Sequence, residues 1–202
     1  MKKGIQFLLM ALAFALFFNV NNNAFALFGK DKSEAEKQEE VKQEKADIRK
    51  MVNETLNRLY KFQPGAKSAI AKSAGYAVFN NFGTKILVVG GGTGKGILFD
   101  KKNGKEVFMK MIEAQAGLGM GVKKFSVVFV FDKQSNVDAF ANSGWEFGGQ
   151  ATAAAKMGEE GGALAGAMSV SPGVWMYQLT DTGVAAELTG KGTKYYKDDD
   201  LN

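Results

Sequence analysis

Glycine is concentrated in the second part of this chain, in rows that restrict how the chain can fold. Only two of the 25 glycines precede residue 60. Glycine takes every second position over residues 90–96 and again over residues 117–121. In an extended strand each row would lie on one face. A face without side chains lets another layer or a sharply coiled strand approach closely. The rows therefore favour a tightly curved sheet.

Short runs rich in β-branched and aromatic residues predict that this sheet is antiparallel. The connections between successive runs are too short for the crossover helices that parallel strands require. One connection contains Asn103-Gly104, a dipeptide typical of tight hairpins. Turns are predicted at residues 80–83 and 90–93, and the Gly/Ala-rich residues 148–168 are predicted to be mostly strand. The predicted strands are Tyr76–Phe79, Thr84–Val89, Gly94–Phe99, Glu106–Ile112, Phe125–Phe131, Val174–Leu179 and Val184–Leu188.

A helical period precedes the sheet. Ser33 and Glu36 have the spacing of a capping box, and an apolar stripe runs over residues 48–62 until Pro64 ends the helix. We expect this helix to pack on the sheet rather than bind a membrane, because its polar face is charge-balanced. Shorter helices are predicted at Ala66–Ser73 and Asp132–Ser143. The expected fold class is α+β: a curved antiparallel β-sheet, barrel-like or sandwich-like, packed with an N-terminal amphipathic helix and one or two shorter helices.

The first 26 residues have the pattern of a secretory signal peptide. Lysines at positions 2 and 3 precede an apolar run over residues 5–18, and Ala24-Phe25-Ala26 has the small-large-small pattern that signal peptidase recognises. The apolar run is shorter than the roughly 18 residues that indicate a membrane span, although an uncleaved anchor is the alternative. We expect a signal peptide at residues 1–26, a charged helical extension at 27–47 and one domain at 48–202. The mature protein would then be periplasmic or secreted.

The residue inventory excludes several kinds of chemistry. The chain has no cysteine and no histidine, which excludes disulfides, thiol and histidine catalysis and the usual zinc sites. The glycines of residues 90–96 have neither the spacing nor the following helix of a phosphate loop. Asp198–Asp200 lacks the alternating ligands of a calcium loop and predicts a solvated tail. Because no carboxylate pair or nucleophile–base pair is spaced for catalysis, we expect a non-enzymatic protein without cofactor or metal. An exported protein is also not expected to bind nucleic acid.

Lysines at the predicted hairpin ends are the candidate functional residues. Such lysines could contact lipid phosphates, or they could simply keep the edge strands soluble. The candidates for binding a lipid head group are Lys95, Lys101, Lys102, Lys105, Lys110, Lys123 and Lys124.

The order of several elements resembles the SYLF domain family over about residues 48–197. The matching elements are the Ala-Lys-rich residues 66–72, Gly75–Phe79, the glycine-rich residues 88–96 and 117–121, Phe140, Trp145–Gly149, Tyr177 before Gly183, and Tyr195-Tyr196. The resemblance implies an α+β body with a curved antiparallel sheet and an activity of lipid binding rather than catalysis. In eukaryotic members the amphipathic N-terminal part of the domain is tied to phosphoinositide binding.

These observations together lead to the hypothesis that the protein binds anionic phospholipid peripherally, through phosphoinositide-like head groups. The expected partner is an anionic phospholipid membrane surface. One alternative is a periplasmic scaffold or stress protein that binds another periplasmic protein. A small outer-membrane barrel is less favoured, since the charged helix and the acidic end of the chain fit it poorly.

Overall fold

The computed structural model describes residues 33–86, 89–116, 121–147, 156–157, 162–185 and 192–202. The expected signal peptide and the glycines at 117 and 119 lie outside the described residues. The chain divides into two compact units, residues 1–40 and residues 41–202. The first unit is described only over residues 33–40, whereas the second contains the sheet and both of its cores.

Helix α1 spans Glu34–Phe62 and begins with the predicted capping box. The Glu36 backbone N–H donates to Ser33 Oγ at 3.3 Å, and the Ser33 N–H donates to Glu36 Oε2 at 2.8 Å. Most of the predicted stripe is buried, but Phe62 is 41% exposed. Helix α2 spans Gly65–Lys72, and helix α3 spans Gln134–Ser143. Within the described residues, no helix is both long enough and apolar enough to cross a membrane.

Within the described ranges, the strands form one antiparallel sheet of ten strands. Its strands are β1 Gly75–Ile86, β2 Val89–Asp100, β3 Lys105–Ala116, β4 Gly121–Phe131, β5 Trp145–Phe147, β6 Lys156–Met157, β7 Met168–Ser171, β8 Val174–Thr180, β9 Gly183–Ala185 and β10 Thr193–Lys197. The spatial order is β5-β10-β3-β2-β1-β4-β8-β7-β6, and β9 pairs with β8. The sheet curls into a half-barrel, and the predicted α+β class is confirmed.

Strands β1 and β2 are longer than the sequence predicts, because the turns expected at residues 80–83 and 90–93 do not form. The two strands keep one register from Gly75 opposite Asp100 to Ile86 opposite Val89, and the pairing is interrupted only at Asn80 and Asn81. The predicted strand Thr84–Val89 is therefore divided between the end of β1 and the start of β2. The prediction was wrong because the asparagines and glycines of these two segments lie within strands of the sheet and do not form turns.

Asn81 shows how the interior accommodates a polar residue. Its side chain is buried and donates from Nδ2 to the buried carboxylate of Glu113 on β3. Asn81 lies above Gly92, where a Cβ atom would stand 2.6 Å from Asn81 Oδ1. That oxygen has no hydrogen-bond partner among the described residues. The amide therefore uses the space that the missing side chain of Gly92 leaves open.

The Gly/Ala-rich residues 148–168, predicted to be mostly strand, are described only in part. Lys156–Met157 form β6, and Met168 begins β7. The described residues between these strands, 162–167, make turns instead. Gly166 has a φ of +75° there, a conformation that favours glycine.

Each face of the sheet carries its own hydrophobic core. Side chains alternate between faces along a strand, so Val78 packs with α1 while the neighbouring Phe79 packs on the opposite face. The α1 face buries Leu59 completely. The opposite face is rich in aromatic rings, and the ring centroid of Tyr195 lies 4.8 Å from that of Phe79. Both faces of the central strands are therefore covered.

The glycine-rich strand β2 lies very close to the neighbouring strand β1. A Cβ atom at Gly96 would overlap the Val78 carbonyl oxygen and the ring of Phe79, and one at Gly94 would overlap the Asn80 carbonyl oxygen. The predicted role of this row in close packing is confirmed at these positions.

Candidate functional site

The sequence-predicted lysines occupy three separate regions of the sheet. Lys101, Lys102 and Lys105 lie at the connection between β2 and β3, which is one end of the sheet. Lys95 and Lys110 are directly opposite each other in the middle of the β2–β3 pair. On β4, residues 123 and 124, both lysines, pair with Gly83 and Phe82. The seven lysines therefore do not form a single cluster.

Lys95, Lys101 and Lys110 make side-chain contacts that tie them to other parts of the protein. Lys101 Nζ donates to the carbonyl oxygens of Ile70, Ala71 and Ser73 at 3.1, 2.5 and 2.9 Å. A lysine at this place satisfies carbonyls that the last turn of α2 leaves without partners. Lys95 forms an ion pair with Glu44 of α1.

Lys110 attaches the end of the chain to the sheet. Its Nζ lies 2.7 Å from Asp198 Oδ1 and 3.0 Å from Asp200 Oδ2. The hydrogen bonds to these two carboxylates raise the pKa of Lys110 above its ordinary value. Asp199 and Asp200 are exposed, as predicted for this segment, but Asp198 is 1% exposed. The prediction was wrong for Asp198 because its partner lysine, 88 positions earlier, is not visible as a local pattern.

The end of the sheet at the β2–β3 connection carries an excess of positive charge. Lys101 holds the C-terminal end of α2 against this connection, and Gln134 Nε2 at the start of α3 donates to Asp100 Oδ1 at 3.1 Å. Exposed lysines from the end of α2, the β2–β3 connection, the start of β3 and the residue before α3 therefore lie at this end of the sheet. We call this surface the basic end, and its members are Lys72, Lys102, Lys105 and Lys133.

Asp100 is one of the acidic residues near the basic end, and its carboxylate is already hydrogen-bonded. It accepts hydrogen bonds from the Asn103 side chain at 2.5 Å and from the Lys102 backbone N–H at 3.1 Å, besides that from Gln134. Desolvation raises the pKa of this carboxyl group, yet these hydrogen bonds outweigh it and bring the pKa below the usual value. The local turn therefore holds Asp100 ionised and away from the neighbouring lysine side chains.

A polar groove of about 690 Å³ lies beside the basic end. We call it the basic groove, and its cationic residues are Lys45 and Arg49 of α1, Lys105 of β3 and Lys197 of β10. Lys45 Nζ and Arg49 Cζ lie 5.3 and 5.2 Å from the centroid of the Phe108 ring. Sequence reasoning identified only Lys105 of this set. The spacing of Lys45 and Arg49, which places both on one helix face, was the available clue.

A second cleft, of about 520 Å³, lies between α1 and the β2–β3 pair. Its lining combines apolar side chains such as Met51 and Met111 with Lys95 and Lys110. Both lysines are already paired with carboxylates. The cleft therefore offers less uncompensated positive charge than the basic groove.

Among the residues that the structure describes, no three His, Cys, Asp or Glu side chains converge as a metal site would require. The described residues instead place a set of exposed cations around one end of the sheet. Such a set can bind anions by charge and hydrogen bonding.

Comparison with known proteins finds a family model and a relative that resemble this chain. Residues 112–202 match the family model Ysc84, described as "Las17-binding protein actin regulator". A relative, Beta cell expansion factor A from Aeromonas veronii, is 32% identical over 161 residues. That alignment covers 80% of this chain and 60% of the relative. The chain therefore matches about three fifths of the length of that relative.

Proposed function

Because this chain belongs to the Ysc84 (SYLF) family through residues 112–202, we propose that it binds anionic phospholipid surfaces peripherally, without catalysis. The family is known for binding lipids and actin regulators and is not known for enzymatic activity. For this chain the proposal extends to phosphoinositide-like head groups. The observation that carries it is the basic end.

The charge of the basic end supports binding to a membrane surface. Lys72, Lys102, Lys105 and Lys133 are exposed, and the carboxylate of Asp100 is bound by its own turn and by Gln134. A basic residue near an anionic membrane contributes about 1 kcal/mol of binding free energy. Four such residues on one end are enough for reversible association that weakens as salt increases.

The structural contacts divide the sequence-predicted lysines by role. We propose that Lys102 and Lys105 contact head groups. Lys101 and Lys110 instead serve the fold, because their ammonium groups bind α2 and the Asp198 segment. We also propose that residues 1–26 direct export, so that the protein meets its membrane outside the cytosol.

Vesicle flotation tests this proposal. The protein is mixed with neutral phosphatidylcholine vesicles or with vesicles that also contain phosphatidylserine, over a salt series. We expect flotation only with the anionic vesicles, and less of it at high salt. The double variant Lys102→Gln/Lys133→Gln should bind about thirtyfold more weakly, because two contacts of about 1 kcal/mol each are lost.

The matched control is Lys50→Gln/Lys61→Gln, which removes the same charge from exposed positions of α1. If both double variants lose the same affinity, the basic end is not the contact surface. If the unaltered protein floats with no vesicle, lipid binding itself is wrong. The family description as a Las17-binding actin regulator would then favour a protein partner.

A further inference from the structure

We infer that the basic groove is a binding site for a phosphomonoester dianion, such as the exposed phosphate of phosphatidic acid. This inference deepens the proposed function, since it names a chemical class that one site beside the basic end would select. A soluble phosphate ester would present the same phosphomonoester dianion.

The cations of the groove are brought together by the fold rather than by sequence proximity. Lys45 and Arg49 come from α1, Lys105 from the start of β3 and Lys197 from the end of β10. Strands β3 and β10 are paired, with Lys197 opposite Met109, and this pairing brings Lys197 to the same part of the sheet as Lys105. The cationic side chains that line the groove therefore come from three different elements.

Phe108 organises the helical pair of cations. The ring is buried at 4% exposure, and both Lys45 and Arg49 are positioned over it at about 5 Å. Cation–π attraction holds a cation near the ring without neutralising its charge. The two side chains are thus placed in advance at the wall of the groove, which reduces the entropy lost when a ligand binds.

The acidic residues that line the groove are already hydrogen-bonded. Glu106 Oε2 accepts from Arg49 Nε and lies 2.8 Å from Arg49 Nη2 as well. Asp100 accepts from Asn103 and Gln134, and Asp138 accepts from Gln134 Nε2 at 2.9 Å. None of these carboxylates binds a groove lysine side chain.

Three cations consequently remain without a carboxylate partner. In the described part of the chain, Lys45, Lys105 and Lys197 form no ion pair. Like charges gathered in one groove repel one another, and a bound anion would relieve that repulsion. The lining also includes three carboxylates, so the four cations leave only a small net positive charge. What the groove offers is three ammonium groups without an ion-pair partner, which suit an anion with several acceptor oxygens.

A phosphomonoester fits these requirements better than a phosphodiester. It carries a charge of about −1.5 to −2 near neutral pH and presents three strong acceptor oxygens. A phosphodiester has only two non-bridging oxygens and so offers these donors fewer acceptors. The ammonium groups and the Arg49 guanidinium supply charge-assisted donors that match the three oxygens.

The experiment compares two anionic vesicles of equal surface potential, one with phosphatidic acid and one with phosphatidylserine. We expect the full chain to prefer phosphatidic acid about thirtyfold. Lys45→Gln/Lys197→Gln should lose this preference, since two lysine contacts of about 1 kcal/mol each account for it. The control Lys50→Gln/Lys61→Gln should keep the preference. Lowering the pH below about 6 should weaken the preference, because the phosphomonoester then carries one charge.

Calorimetric titration with glycerol 3-phosphate distinguishes the source of the phosphate. Binding that Lys45→Gln/Lys197→Gln abolishes supports the groove as a site for the phosphomonoester alone. A preference for phosphatidic acid without binding of glycerol 3-phosphate supports the lipid as the source.

Three outcomes separate this inference from the proposed function. Equal binding of both anionic vesicles would overturn the groove assignment while leaving peripheral lipid binding intact. So would equal loss of preference in the groove variant and the control. Conversely, binding of glycerol 3-phosphate in the groove by a protein that floats with no vesicle would support the groove and refute membrane association.

Discussion

Individual glycines in β2 differ in what surrounds them. Gly96 has no room for a side chain, since the Val78 carbonyl and the Phe79 ring fill the space. At Gly91 the nearest atom to an added Cβ would be the Glu113 carbonyl oxygen at 3.5 Å, an ordinary van der Waals contact. Gly96 is thus required by packing, and Gly91 is not.

Alanine substitutions test this distinction. Gly96→Ala should lower the free energy of unfolding by about 1–3 kcal/mol or more, because the added methyl group forces the strands apart. Gly91→Ala should change it by less than about 1 kcal/mol, since alanine also restricts the unfolded chain. Chemical denaturation of both variants measures the difference. Equal effects would show that the β1–β2 spacing does not depend on Gly96.

The sequence predicted the role of the glycine row but not which glycine is essential. Parity places Gly92, Gly94 and Gly96 on one face. Which of them meets a carbonyl oxygen depends on the register with β1, and register depends on pairing that a single sequence does not show. Burial of Asn81 was missed for the same reason.

Among the elements, α2 illustrates how a distant residue completes a short helix. Its eight residues contain Ala66, Ala69 and Ile70 as buried members. A helix of this length is only marginally stable alone. Lys101, from the β2–β3 connection, binds carbonyl oxygens at its C-terminal end. The helix is therefore fastened to the sheet by the same connection that carries Lys102.

Neighbouring lysines in that connection should respond differently to substitution. Lys101→Gln should lower the free energy of unfolding by about 1 kcal/mol or more, because charge-assisted hydrogen bonds to the end of α2 are lost. Lys102→Gln should leave stability within about 0.5 kcal/mol, as is usual for an exposed site. Thermal unfolding of both proteins provides the measurement. A stability loss at Lys102 as large as that at Lys101 would contradict these roles.

Elements were predicted well where their pattern is local. The start of α1, the sheet class and helix α3 follow from caps, alternation and apolar spacing. The boundary between β1 and β2 was misplaced because Asn and Gly residues favour turns, whereas here Asn81 is held in the sheet by Glu113. A long-range hydrogen bond outweighed the local preference.

In the second unit as a whole, one sheet links two cores. Adjacent residues such as Val78 and Phe79 belong to opposite cores, so neither core can be lost without disturbing the strands that hold the other. The two tryptophans of the chain report on opposite faces. Trp145 packs with one core, and Trp175 packs with the other.

This linkage predicts a single unfolding transition. Leu59→Ala on the α1 face should cost about 2–5 kcal/mol. It should shift the transition reported by Trp145 fluorescence as much as that reported by Trp175. Measurements in Trp175→Phe and Trp145→Phe backgrounds isolate each reporter. Two separated transitions would mean that the faces unfold independently and that the two-state description fails.

The candidate site is the part of the molecule that sequence reasoning predicted least completely. Lys102 and Lys105 were identified because they cluster along the chain. Lys45 and Lys197 are 152 positions apart, and only the packing of α1 and the β3–β10 pairing bring them to one groove. When the charged residues of a cluster come from distant segments of the chain, the local composition of each segment does not reveal the cluster.

The placement of the Asn81 amide over Gly92 also limits how this protein can change through descent. An alanine at position 92 would collide with the amide, and a smaller residue at position 81 would deprive the Glu113 carboxylate of a donor. A change at either position therefore disturbs the contact that joins Asn81, Gly92 and Glu113. We expect the effects of substitutions at these three positions to depend on one another.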